Sequence, residues 1–175
     1  MNSYDVITAG SITRIGPSLV GIVRDSTMTA QRRGTGLHWA AKYIGLPYAP
    51  NGRSKAGVDC WGLLVLVYAA EWGIVLPDIP GISQVPTHLQ GIILEKEAVR
   101  DWWEIALPFD GCAVAMTKQS TIHHVGIWAE IDGGKVIHCV PHQNVVADTL
   151  RNLRLRGYRQ AQFYKHKSWI YKSWI

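Results

Sequence analysis

Residues 57–77 read GVDCWGLLVLVYAAEWGIVLP. The run is apolar and punctuated like a helix. Asp59 suits an N-cap, because its carboxylate can accept a bond from an unpaired N–H of the first turn. Leu63, Leu64, Val67 and Ala70 predict a buried stripe on a helix over about residues 60–72, and Gly73 is a good stop. Cys60 then falls on the first turn. Several backbone N–H groups point outward there and the helix end carries partial positive charge, which favours thiolate. Asp59 opposes this, since a neighbouring carboxylate raises a thiol pKa. Placement alone leaves Cys60 open as a nucleophile or as a buried core thiol.

Upstream, Leu37, Ala40, Ala41 and Ile44 fall at i, i+3, i+4 and i+7, so the spacing predicts an amphipathic helix from Arg32 that ends at Gly45. LPYAPNGRSKAG (46–57) and VLPDIPGISQVP (75–86) read as loops. HLQGIILEKEAVRDWWEIA (88–106) reads as helical. After Pro108 the period changes to two. CAVAM (112–116), HVGIWAEI (124–131), KVIHCV (135–140), VVADTL (145–150) and RGYRQAQFYK (156–165) read as short strands, with IDGG (131–134) as a hairpin turn. Helices followed by an antiparallel sheet of about five or six strands make an α+β fold. The division is an extension over 1–31, a domain over 32–166, and a tail, KSWIYKSWI, over 167–175.

The chain of 175 residues suits one core-bearing domain. Its aromatic set is skewed, with eight Trp and seven Tyr against two Phe, which favours grooves and interfaces. Its formal charge of +5 fits a polyanionic partner or a solvated basic face, and Arg151, Arg154, Arg156 and Arg159 concentrate that charge near the C-terminus. No nucleic-acid motif accompanies it. Three cysteines cannot close a disulfide framework, and Cys112 and Cys139 read as core thiols. Neither a signal-peptide pattern nor an apolar run of about 20 residues is expected to export or anchor the chain.

A nucleophilic cysteine needs a base. In TIHHVGIWAE (121–130), alternation puts His124, Gly126 and Trp128 on one strand face and Val125, Ile127 and Ala129 on the other, so one of His123 and His124 can reach the cysteine. The next strand places His138 across a hairpin, where it can orient the imidazole of His124. The competing interpretation is a metal held by His123, His124, His138, Cys139 and His142. It is disfavoured because His138 and Cys139 point to opposite strand faces. No metal and no cofactor is therefore expected.

PYAPNGRSKAGVDCWGL (47–63), followed by HHVGIW (123–128) and VIHCV (136–140), resembles the NlpC-like cell-wall cysteine peptidases, which have a papain-like α+β fold. The resemblance covers about residues 32–166. It implies that Cys60 is the nucleophile, His124 the general base and His138 the residue that orients it. It implies that Tyr48 helps form the oxyanion and substrate pocket, and that Asp59 and Trp61, beside the nucleophile, line that pocket. The order, Cys before His, is unlike that of the related lipid acyltransferases. Two departures stand out. The family loop usually reads Tyr-x-Tyr/Trp-Gly-Gly, whereas residues 48–52 read Tyr-Ala-Pro-Asn-Gly. Trp61 also replaces a small residue.

The resemblance implies an endopeptidase acting on peptidoglycan stem peptides between D-glutamate and a diamino acid. Trp61 and the stretch VVADTLRNLRLRGYRQAQFYKH (145–166) look more like the versions encoded by tailed bacteriophages, which implies phage tail-tip proteins as partners and a place on the virion tail acting at the host wall. A structural tail-tip role with weakened hydrolysis, or an amidase using the same Cys-His-His site, are the alternatives.

Overall fold

A computed structural model describes residues 37–79, 81, 102–105 and 107–169. The expected extension, residues 32–36, most of the helix expected over 88–106, His88 and the end of the tail lie outside the described residues. The compact unit that the described residues form begins at Leu37.

The elements of that unit are β1 (Arg53–Ser54), β2 (Gly57–Val58), α1 (Cys60–Trp72), β3 (Trp102–Ile105), β4 (Ala113–Lys118), β5 (Thr121–Ala129), β6 (Lys135–Val140), β7 (Asn144–Asp148), α2 (Leu150–Leu155) and β8 (Gln160–His166). β1 and β2 form a small hairpin inside the loop expected over 46–57. The other six strands form one antiparallel sheet in the order β3-β8-β4-β5-β6-β7. The architecture is α+β. Among the described residues no helix is long and apolar enough to cross a membrane.

α1 is built as its sequence dictates. Asp59 is extended and accepts a bond from the Gly62 N–H at 2.6 Å, and Gly73 closes the helix in the left-handed region at φ 61°. Leu63, Leu64 and Val67 are buried, but Tyr68 takes the inward place expected for Ala70, which is exposed. The Tyr68 hydroxyl donates to the Gly111 carbonyl at 2.9 Å, so this ring reaches the sheet with its polar end satisfied. Truncating Leu63 or Leu64 removes fully buried volume, a change that typically costs ~2–5 kcal/mol.

Two sequence expectations are corrected. Among the described residues the first expected helix is a four-residue 3-10 turn, Trp39–Lys42, begun by His38 and followed by Gly45 at φ 88°. Leu37, Ala41 and Ile44 are exposed while Ala40 and Tyr43 are buried, so the apparent stripe is not the buried one. Residues 102–105, expected to be helical, pair with β8 as an edge strand. Two Trp and an Ile favour a pleated surface, and the pairing partner outweighs the helical pattern before them. The first residues of the expected tail, Lys167–Trp169, form a 3-10 turn, and the Trp169 ring lies 5.1 Å from that of Trp72.

The sheet separates two apolar layers. Ala113, Ala115, Val125, Ile127, Ala129, Ile137 and Cys139 pack with α1. Val114, Met116, Trp128 and Val136 pack with Leu153 of α2. The sequence pattern ends a strand at Leu150 and begins the next at Arg156, and α2 fills the stretch between them. Thr149 caps it by accepting from the Asn152 N–H, and Leu153 is its one buried residue.

Candidate active site

Cys60 opens α1 behind Asp59 and retains only 3% exposure. Burial and the Asp59 charge push its thiol up to about 12, while the backbone N–H groups of Val125 and Trp61 pull it down. The thiol therefore abuts β5 at the residue that follows His124. It rests as the neutral thiol, contrary to the thiolate expected from the helix end, because burial and a carboxylate outweigh the dipole.

His124 and His138 stand together, as antiparallel pairing of β5 and β6 requires. His124 Nε2 and His138 Nδ1 are 3.0 Å apart, with the rings edge to face. Gly126 allows this approach. A side chain there would meet Val136 Cγ1 at 2.7 Å, the Ile137 carbonyl oxygen at 2.8 Å and His138 Cβ at 3.0 Å. Gly62 does the same for the loop: a Cβ would meet the Gly52 carbonyl oxygen at 1.9 Å. The glycines of DCWG and HVGIW are thus steric conditions for bringing loop, helix and strands together.

The hydrogen-bond chain continues to a residue that the sequence reading did not single out. His138 Nε2 lies 3.0 Å from Asp148 Oδ2, and Asp148 also accepts from Arg156 Nε. Arg156 Nη1 in turn donates to Gln143 Oε1 at 2.6 Å. The only usable signal was parity. Val136 faces Asp148 across β6 and β7, so Asp148 shares a sheet face with His138 two residues along.

The order of these contacts fixes the tautomers. Burial raises the Asp148 carboxyl, but Arg156 and His138 more than offset it and hold the carboxyl below its usual range. An ionised carboxylate only accepts, so His138 carries its proton on Nε2 and presents a bare Nδ1. His124 then donates from Nε2, which leaves the lone pair on its Nδ1. Burial, reinforced by His138, Lys118 and Arg156, holds His124 well below the usual imidazole range. Burial also lowers His138, although Asp148 opposes it. Both rings are neutral at pH 7.

Two tyrosines lie within electrostatic reach of the thiol. Tyr48 bridges to Val58, and its phenol is raised by burial and by the charges of Asp59, Cys60 and Cys139. Tyr158, which follows α2, stacks on His124 with 5.6 Å between ring centroids. Burial and then Cys60 push its phenol up to about 12. Tyr158 was read only as part of a strand.

Asp59 and Trp61 sit elsewhere than the pocket wall expected for them. Asp59 is wholly buried and accepts from the backbone of Gly62 and Asn51 and from Arg53 Nη1. Trp61 is buried in the core, and its indole donates to the Pro77 carbonyl at 3.0 Å. Asp59 holds the loop before the nucleophile, and Trp61 holds the loop that follows α1. Cys139 is buried on the opposite face from His138 and donates to the Val58 carbonyl at 3.1 Å. Among the described residues no three His, Cys, Asp or Glu side chains converge as metal ligands.

The model of the NlpC/P60 family matches residues 45–166. No curated protein sequence matches. Solved structures similar to this chain include the NlpC/p60 domain of the peptidoglycan hydrolase SagA, at 21% identity and TM-score 0.49 over 71% of this chain and 92% of that one. Another is a lipoprotein-like NLP/P60-family protein of Staphylococcus aureus, at 22% identity and TM-score 0.46, where the match covers 71% of this chain and 38% of that one.

Proposed function

The chain belongs to the NlpC/P60 family and is a cysteine-type peptidase of the cell wall, and from that premise we propose that Cys60, His124 and His138 cleave a stem-peptide amide of peptidoglycan between D-glutamate and a diamino acid. The observation that carries the assignment is the continuous chain His124–His138–Asp148 beside a thiol at a helix start.

Because thiol and imidazole both rest neutral, the nucleophile is made during attack. The Cys60 sulfur bonds to the amide carbonyl carbon as His124 Nδ1 takes the thiol proton. The resulting imidazolium donates from Nε2 to His138, and Asp148 at the end of the chain balances its charge. The Cys60 N–H, one of the unpaired donors of a helix start, and the Tyr48 hydroxyl bind the oxyanion. His124 then protonates the leaving amine, and water, deprotonated by the same nitrogen, releases the acyl group. Tyr48→Phe removes one oxyanion donor and is expected to lower kcat ~100-fold with the fold intact, as measured by steady-state turnover and circular dichroism.

Digestion of purified peptidoglycan by wild-type and Cys60→Ala protein, with mass spectrometry of the products, tests the assignment. Fragments released only by the wild type, carrying new glutamyl carboxyl ends, are the expected outcome. Equal release by Cys60→Ala overturns it. We further propose that the enzyme acts from a bacteriophage tail tip at the host wall, on the likeness of Trp61 and residues 145–166 to phage versions. Its detection in purified particles by mass spectrometry tests that context.

A further inference from the structure

α2 has six residues and one buried side chain, so its own packing gives it little reason to form. What it supplies is its C-terminal turn. Gly157 takes the left-handed region at φ 88°, and its N–H donates to the Arg154 carbonyl at 3.0 Å. The Tyr158 N–H reaches further back, to the Leu153 carbonyl at 3.1 Å. With Arg156 as the C-cap, these two bonds are a Schellman closure. The apolar contact that accompanies this motif is present too, because Tyr158 packs against the cluster that contains Leu153. The next residue is pinned to β4: the Arg159 N–H donates to the Thr117 carbonyl at 2.8 Å.

One closed turn therefore holds two side chains against the two ends of one hydrogen-bond chain. Arg156 meets Asp148. Tyr158 stacks on His124, with the ring centroids 5.6 Å apart and the planes inclined by 15°. The bond between His124 Nε2 and His138 fixes one corner of the His124 ring. It leaves the ring free to tilt about that corner, and the tilt decides where Nδ1 points. A parallel aromatic ring removes that freedom. It also offers a π face to an imidazole that becomes cationic when it takes a proton. Burial makes that cation costly, and an aromatic face stabilises it without adding a charge. Lys118 Nζ lies 5.1 Å over the same ring, but the Lys118 side chain is exposed and its charge stays solvated.

Resting on the functional reading above, we propose that Tyr158 is the positioning residue of His124. Its ring face fixes the imidazole plane so that Nδ1 addresses Cys60, and it steadies the imidazolium formed as the thiol proton is transferred. The face of the ring makes this contact, not the hydroxyl. α2 is then the device that delivers Arg156 and Tyr158 together, one to each end of the chain.

The test reads the Cys60 thiol with no peptide present. Iodoacetamide alkylates the full chain: the sulfur bonds to the methylene carbon, iodide leaves, and His124 takes the thiol proton. Mass spectrometry of the Cys60 peptide separates this reaction from any at Cys112 or Cys139. Tyr158→Leu keeps apolar packing and removes the ring face, and it is expected to slow alkylation of Cys60 about tenfold, the size of one desolvated cation–π contact. Tyr158→Phe keeps the face and should hold the rate within about twofold of the wild type, and in a His124→Gln background Tyr158→Leu should change the rate by less than about twofold, because the group it positions is gone. Circular dichroism confirms each fold, and Tyr158→Met carries the same expectation where the Leu variant does not fold. The proposal is overturned by a Leu or Met variant that reacts as fast as the wild type, by a Phe variant as slow as the Leu variant, or by an equal loss with and without His124. Unfolding by both aliphatic substitutions overturns it as well, since the ring is then part of the scaffold alone. Peptidoglycan cleavage by the wild type is scored separately, so alkylation that depends on Tyr158 without cleavage keeps the positioning role and rejects the peptidase.

Discussion

Asp59 and Asp148 are two buried carboxylates, each gripped by an arginine and each next to the start of a helix. Asp59 meets Arg53 and the backbone N–H groups of Asn51 and Gly62. Asp148 meets Arg156 and the imidazole of His138. The first therefore caps a helix and holds a loop, and its charge raises the neighbouring Cys60 thiol. The second stands at the end of a chain of transferable protons. A carboxylate's role at such a site follows from what its oxygens face rather than from its distance to the nucleophile. Asp59 is adjacent to Cys60 in sequence, yet the geometry makes it structural.

The sharpest way to break the comparison is Asp59→Ala. It uncaps α1, which costs about 1 kcal/mol. It also takes from Arg53 one of its two carboxylate partners, leaving Asp78, and frees the Asn51 N–H. Together these losses predict a fall of ~2–3 kcal/mol in urea unfolding. The pH dependence of turnover in the fraction that remains folded should keep its acid limb. A loss under about 1 kcal/mol would mean that the carboxylate is not anchoring the loop.

Asp148→Asn should do the reverse. Removing the partner that orients a working histidine typically costs 10–100-fold, and kcat/KM is expected to fall by about that factor. Arg156 is then left without its counter-charge and lowers the basicity of His124 further, since it already pushes that ring down. The acid limb of the pH–rate profile should move to lower pH, and Asp148→Glu should restore part of the rate. A variant with reduced stability but an unchanged profile and rate would make Asp148 another Asp59.

This contrast also explains what was legible in the sequence. The helix start was readable because Asp59, Cys60 and Gly73 act over a few residues through capping and left-handed geometry. His124 and His138 were readable because strand parity is local and a tight turn sets their pairing. Asp148 and Arg156 were not. Their roles arise from a third strand and from α2, a six-residue helix with one buried side chain and therefore no period to detect. The loop residues misled for a related reason. Adjacency to Cys60 suggested that Asp59 and Trp61 face substrate, but the chain folds back through Gly52 and Gly62 and turns both inward. The helix expected over 88–106 fails at Trp102–Ile105, where a partner strand about sixty residues later dictates the pairing.

The smallest effect is the pH dependence of stability, and its sign belongs to the Asp148 side. His124 and His138 are both held below their ordinary value of 6.5 in the folded protein. Their folded-state pKa is depressed, so the unfolded chain takes up protons first as pH falls. The stability they contribute is complete above about 6.5 and is lost progressively below it, by at most ~1.4 kcal/mol per pH unit for each group until its folded pKa is reached. Thermal unfolding at pH 7.5, 6.0 and 5.0 should therefore show a falling midpoint. His138→Gln keeps a polar partner for His124 but removes one titrating ring, so it should flatten that slope by close to one proton. A slope that His138→Gln leaves unchanged would mean that the ring at the Asp148 end of the chain does not titrate in this window.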